Sequence, residues 1–174
     1  MYPIVRFAKE MWLARRAPAL AFGQTHVSHH LCWPWDLDLW IELNNGRTLT
    51  LYDLGRVPAA RRIGVDRALA AQGWSMVVAG ASVRYRRRIR AFDRLEMRTR
   101  ALGWDDRFLY TEQSIWVRGH CANHILVRSA VTGGDGIVAP ERLAEVLGLG
   151  KSPDLPDWVR AWIGADATRP WPPQ

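Results

Sequence analysis

Residues 33–64 read WPWDLDLWIELNNGRTLTLYDLGRVPAARRIG. Three carboxylates, Asp36, Asp38 and Glu42, precede an Asn-Asn-Gly corner at Asn44, Asn45 and Gly46. Asn is a strong helix N-cap, because its side chain accepts a free backbone N–H of the first turn. Asn44 or Asn45 therefore starts a helix just before Arg47. The carboxylates fall close to that helix N-terminus, where unpaired N–H groups and the macrodipole stabilise negative charge.

The run Arg47–Gly64 carries Leu49, Tyr52, Asp53, Arg56, Ala60 and Ile63 on one side, with Leu51 and Leu54 apolar on the other. A helix that is apolar nearly all round is a buried one. Pro58 predicts a kink, or one helix ending near Val57 and another beginning. Helical character continues over Asp66–Gln72 until Gly73 stops it.

The pattern Asp-x-Asp-x-x-x-x-x-Asn-Asn-Gly, followed by Asp53-Leu54-Gly55-Arg56, resembles the signature of the 4-hydroxybenzoyl-CoA thioesterase-like (hotdog) superfamily. Members similar to this stretch read roughly Asp-Leu-Asp-Leu-Phe-Gly-His-Val-Asn-Asn-Gly-Arg-Tyr. The resemblance extends over Thr25–Ala139. Ile41 and Glu42 stand where those sequences have Gly and His, and Thr48 stands at their Tyr. It implies an α+β hotdog fold, an antiparallel sheet wrapped around one long central helix. It also implies a homodimer or dimer of dimers, with active sites at the subunit interface and the acyl group between the central helix and the partner's sheet.

Outside this stretch the patterning agrees. Tyr2–Ala17 reads as an amphipathic helix, with Ile4, Phe7, Ala8, Met11 and Trp12 on one side and Arg6, Lys9, Glu10 and Arg16 on the other; Pro18 ends it. Packing on its own domain is the simple expectation, and contact with anionic lipid the sharper one. Thr25–Trp33 alternates as a strand. From Ser75 the period is two. In Ala81–Ala91, Val83, Tyr85, Ile89 and Ala91 alternate with Arg84, Arg86, Arg88 and Arg90, predicting a strand with one basic face. Phe92-Asp93 is a turn. Leu95–Ala101, Phe108–Val117 and Cys121–Val131 are further strands, and Gly133–Gly136 is a turn that lacks a phosphate-loop Gly-Lys-Ser/Thr. Pro140–Leu147 is a short helix, and Asp157–Ile163 another in a Pro- and Trp-rich tail. Residues 1–174 read as a single domain, with a core at about 25–139, an N-terminal helix at 2–17 and a C-terminal extension at 140–174.

A chain of 174 residues can bury a sizeable core. No apolar run is long enough to span a membrane, and charges at Arg6, Lys9, Glu10, Arg15 and Arg16 break any signal-peptide segment. Cys32 and Cys121 form no disulfide framework, so a cytoplasmic location is expected, with peripheral contact at the inner membrane face as an option. His26, His29 and His30 near Cys32, and His120 and His124 around Cys121, lack a recognised zinc-ligand spacing, so no metal is expected. The net charge is +7, with 24 Lys+Arg of which only Lys9 and Lys151 are Lys. Arg suits bidentate phosphate contacts.

Thioester hydrolysis needs a nucleophile or base near the carbonyl carbon and donors near its oxygen. The resemblance gives the first role to Asp36, which attacks the thioester or activates water. It gives the second to backbone N–H groups near Gly46 and Arg47. Glu42 in the family's His position, and Asp53 where relatives carry a helix acid, complete the catalytic candidates; Asp53 equally has Arg56 one turn away to pair with. Asn44 and Asn45 cap the helix and join Gly46 and Arg47 as substrate-binding candidates. Arg84, Arg86 and Arg88 are candidates for coenzyme A phosphates. Aromatics do not interleave on that face as base stacking requires, so nucleic acid is not expected. No cofactor is implied beyond coenzyme A as part of the substrate. The rival readings are a non-catalytic acyl-CoA or lipid-binding protein of the same fold, and a hydratase or dehydratase, which would want a His where Glu42 stands.

Overall fold

Asn44 caps the central helix. Its side-chain oxygen accepts the backbone N–H of Arg47 at 3.0 Å, and its backbone is extended. Behind it the helix runs unbroken over Asn45–Ile63 in the computed structural model, which describes residues 2–170 and 172–173. Met1, Trp171 and Gln174, assigned above to the domain and its extension, lie outside the described residues.

In chain order the elements are α1 (Ile4–Arg16), β1 (His26–Leu31), α2 (Asn45–Ile63), α3 (Val65–Gln72), β2 (Ser75–Tyr85), β3 (Arg94–Trp104), β4 (Leu109–Val117), β5 (His120–Gly133), β6 (Gly136–Val138), α4 (Pro140–Val146) and α5 (Asp157–Ala167). A single 3₁₀ turn at Pro34–Asp36 lies between β1 and α2. The sheet is antiparallel, ordered β1-β3-β4-β5-β2, with β6 paired to the end of β5. β2 is thus a sheet edge.

The sheet wraps α2, as the resemblance implies. Leu51, Tyr52 and Leu54 are fully buried against Leu95, Met97, Ile115, Ile125 and Val127. Burial of each such side chain stabilises the fold by about 1.5–3 kcal/mol. Gly55 lets helix and sheet meet. A Cβ there would lie 2.6 Å from Met97 Sδ and 2.7 Å from Thr99 Oγ1. α3 and α4 close one end of the sheet over Val131 and Val138, and α5 covers the opposite face over Leu102, Tyr110 and Leu126.

Three expectations are corrected. The break in the long helix falls at Gly64, in the left-handed region at φ 97°, and not at Pro58, which α2 carries in its interior. The basic strand ends at Tyr85. Beyond it the N–H groups of Arg86 and Arg87 both donate to Ala122 O, and Ile89 O then accepts from Leu43 N. The chain has left β5 to cross to the loop before α2. Finally, α1 is rotated relative to its pattern: it buries Glu10 and Ala14 and packs Phe7 on the core, while Ile4, Val5 and Trp12 face out.

Candidate active site

The loop before α2 is short and internally tied. Leu37 and Leu43 form an isolated bridge, and Asp38 N donates to Glu42 O at 2.8 Å. Asp38 Oδ1 accepts the N–H groups of Trp40 and, at 3.4 Å, Glu42. Asp38 therefore anchors the turn. Ile41, at the position of the resembling sequences' Gly, sits at φ 58°, where a β-branched residue is strained.

Asp36 is fully buried. Oδ1 accepts from Arg6 Nη2 at 2.7 Å and Arg47 Nε at 2.6 Å; Oδ2 accepts from Arg6 Nη1 at 2.9 Å and the Trp33 N–H at 3.0 Å. Burial raises its pKa, but these donors outweigh it and hold the carboxyl below its ordinary value. A carboxylate offers about four lone-pair directions, and all four are taken. In this arrangement Asp36 does not have the free oxygen that the attacking role requires. It ties α1 to α2.

Glu42 differs. It is half-buried, holds one ion pair to Arg88 at 3.1 Å, and lines a polar cavity of about 200 Å³ with Asn45, Thr48, Tyr85, Arg86, Arg87, Arg88 and Asn123. This cavity opens at the first turn of α2. The Arg47 N–H, expected as an oxyanion donor, is taken by the Asn44 cap. The N–H groups of Asn45 and Gly46 make no hydrogen bond among the described residues. They are the donors that remain for an incoming oxygen.

The predicted residues separate. Glu42, Asn45, Arg86 and Arg88 come together, with Gly46 beside them. Asn44 is the cap. Arg47 Nε is on Asp36. Arg84 lies elsewhere, on β2 opposite His124, which turns its ring to Glu112 on the sheet face away from α2. Asp53 pairs with Arg56, as its spacing allows, and Arg56 Nη1 also donates to buried Gln113. Burial lowers the Arg56 pKa, with Asp53 opposing that. Asp53 and Arg56 line a second cavity, about 400 Å³, bounded otherwise mostly by apolar groups such as Val57, Ala60, Ile63, Leu69 and Met76, between α2, α3 and the sheet.

Sequence reasoning missed Arg6, Arg87, Tyr85 and Asn123. Arg6 pairs across thirty residues, and nothing in the sequence marks it. Arg87 had a signal: Arg86-Arg87-Arg88 breaks the two-residue alternation where the strand ends. The histidines are tied singly: His26 Nδ1 to Arg62 at 2.9 Å, His30 Nε2 to Ser28 Oγ at 2.8 Å. No group of three or more metal-ligating side chains occurs among the described residues.

The model of the thioesterase-like superfamily matches residues 32–163. Protein THEM6 of Xenopus laevis is 35% identical over 142 residues, covering 79% of this chain and 67% of that protein. Protein THEM6 of Danio rerio is 30% identical over 165 residues, covering 90% and 80%. Among solved structures, the probable thioesterase YbaW of Escherichia coli superposes with TM-score 0.65 at 19% identity, over 70% of this chain and 95% of that one. A Thermus thermophilus thioesterase complexed with coenzyme A and Zn gives 0.59 at 23%, over 71% and 95%. At these identities the two structures show the fold.

Proposed function

The chain belongs to the thioesterase-like superfamily, and from that premise we propose that it binds a coenzyme A thioester and hydrolyses it at the first turn of α2. One juxtaposition carries this reading. The Glu42 carboxylate, Asn45 and Arg86–Arg88 line one polar cavity at the first turn of α2, the turn that carries the unpaired N–H groups of Asn45 and Gly46. Glu42 takes a proton from water as the water attacks the carbonyl carbon. The oxyanion forms against the two N–H groups, which the helix dipole supports. The C–S bond then breaks, and the thiolate leaves with a proton to give free coenzyme A and the acid. Arg86 and Arg88 attract the phosphates, and Arg84 is outside this group. The apolar cavity beside Asp53 suits an acyl or aryl group. A similar fold that carries coenzyme A supports the ligand class. The free edge of β2, with Val77 and Val78 exposed on it, suits pairing of two copies into a homodimer.

The second reading is acyl-CoA binding without turnover. It is favoured by Asp36, the motif's first carboxylate, being fully engaged by Arg6 and Arg47. Thiol release from short, medium, long and aromatic acyl-CoAs tests both readings. Turnover lost in Glu42→Gln and kept in Asp53→Asn supports the proposal. Tight binding with no release supports the second reading. An N-acetylcysteamine thioester tests the arginines: equal rates with it and the coenzyme A ester would remove them from the site.

A further inference from the structure

The sequence pattern of α1 places its large apolar residues together, yet the helix tucks in only part of that face: Phe7 packs on the core, while Ile4 and Trp12 stay exposed. Polar groups hold the helix beside Phe7. Arg6 grips Asp36, and Glu10, only 4% exposed, approaches His30 Nδ1 at 3.8 Å. Ile4 and Val5 are left 68% and 84% exposed. They form one wall of an open groove whose other wall is Trp33 and Trp35, stacked at 5.0 Å between ring centroids and 4° between planes. From Leu37 in the same groove the chain runs into the tip of the pre-α2 loop, where Leu39, Trp40 and Ile41 are 93%, 78% and 71% exposed. A run of exposed apolar side chains with tryptophans is what a water-facing surface avoids.

Two further observations identify the occupant. Ile41 holds a left-handed backbone at φ 58° where Gly would fit without strain, so an apolar side chain is kept at the tip against a conformational cost. Cations ring the apolar surface as well. Arg86, Arg87 and Arg90 lie beside the tip, tied to it through Arg88–Glu42 and the Leu43 N–Ile89 O bond, and their side chains form no ion pair among the described residues. On the α1 side lie Lys9, which pairs with Glu10 at 3.1 Å, and Arg16, over the Trp12 ring at 3.7 Å. Apolar residues and Trp ringed by basic groups match an anionic lipid surface, whose acyl boundary takes the former and whose headgroups take the latter.

We propose that this face, the loop tip Leu39–Trp40–Ile41 with Ile4 and Val5 of α1, docks peripherally on an anionic bilayer. The polar cavity lined by Glu42 then opens next to the lipid surface. Docking needs neither turnover nor coenzyme A, so it stands or falls apart from the thioesterase reading.

The test is co-flotation of the full chain with vesicles of phosphatidylcholine alone and of phosphatidylcholine with phosphatidylglycerol. The wild type should float with the mixed vesicles, with a blue shift of Trp emission, and weakly with the neutral ones. Trp40→Ser, at an exposed side chain with no ring or hydrogen-bond contact among the described residues, should keep its circular dichroism and lose at least about tenfold in affinity. Val5→Asp should do the same. Failure of the wild type to bind mixed vesicles overturns the proposal. So does equal binding by wild type and Trp40→Ser, which would mean charge attraction alone. A solution dimer that Trp40→Ser dissociates, without vesicle binding by the wild type, would assign the face to a second copy and overturn it too.

Discussion

Asp36 and Glu42 are six positions apart and chemically alike, but their surroundings give them different work. Asp36 is buried and accepts four hydrogen bonds; Glu42 has one exposed partner and a cavity before it. Asp36→Asn leaves Arg6 and Arg47 without their anion. Because both guanidinium groups keep some solvent contact, the expected loss of stability is about 2–3 kcal/mol, at the lower end for a broken ion pair. Urea denaturation measures it, and an unchanged midpoint would refute the tie. Ile41→Gly should act oppositely, raising stability by about 1 kcal/mol by releasing the left-handed strain. The motif was legible from sequence at this scale. The division of labour within it was not, because Arg6 comes from another helix and residue type does not reveal how many donors reach a carboxylate.

At the scale of elements, α2 was legible from its cap and its all-round apolarity, and the strands from their period. α1 was not. Its pattern predicts the buried face, but the Arg6–Asp36 ion pair sets the helix so that Phe7 packs on the core while Ile4 and Trp12 stay outside. β2 was read too long because alternate arginines continue past Tyr85 as a loop. The inner face of β1 carries a pH dependence. Burial is the main cause that lowers His30 to about 4, helped by Lys9, Arg6, His29 and His26; burial and then Arg62 lower His26 likewise to about 4. Both are held neutral in the fold and take up a proton on unfolding below their ordinary 6.5. Stability is therefore full above pH 6.5 and falls as pH drops towards 4, by up to roughly 2–3 kcal/mol per pH unit for the pair. Denaturation midpoints across that interval check it; a flat profile would contradict the burial. Gly55→Ala should weaken the α2–β3 contact by about 1–3 kcal/mol, since its new Cβ meets Met97 and Thr99.

For the molecule as a whole, the sheet, the helix it wraps and the short loop before that helix set up two cavities. The polar one at the first turn suits the thioester and phosphates, and the apolar one along α2 suits the acyl part. Ala60→Trp, which fills space in the apolar cavity, should shift preference towards short acyl chains; an unchanged chain-length profile would place the acyl group elsewhere. No helix among the described residues is long and apolar enough to cross a membrane. The central claim, that Glu42 at the α2 N-terminus hydrolyses a coenzyme A thioester, is tested most directly by thiol release from the acyl-CoA panel with wild type and Glu42→Gln side by side. The account predicts turnover by the wild type and a loss of about a hundredfold or more in the folded variant, the usual worth of a general base. Equal rates for the two proteins, or no release by the wild type from any ester, would contradict it.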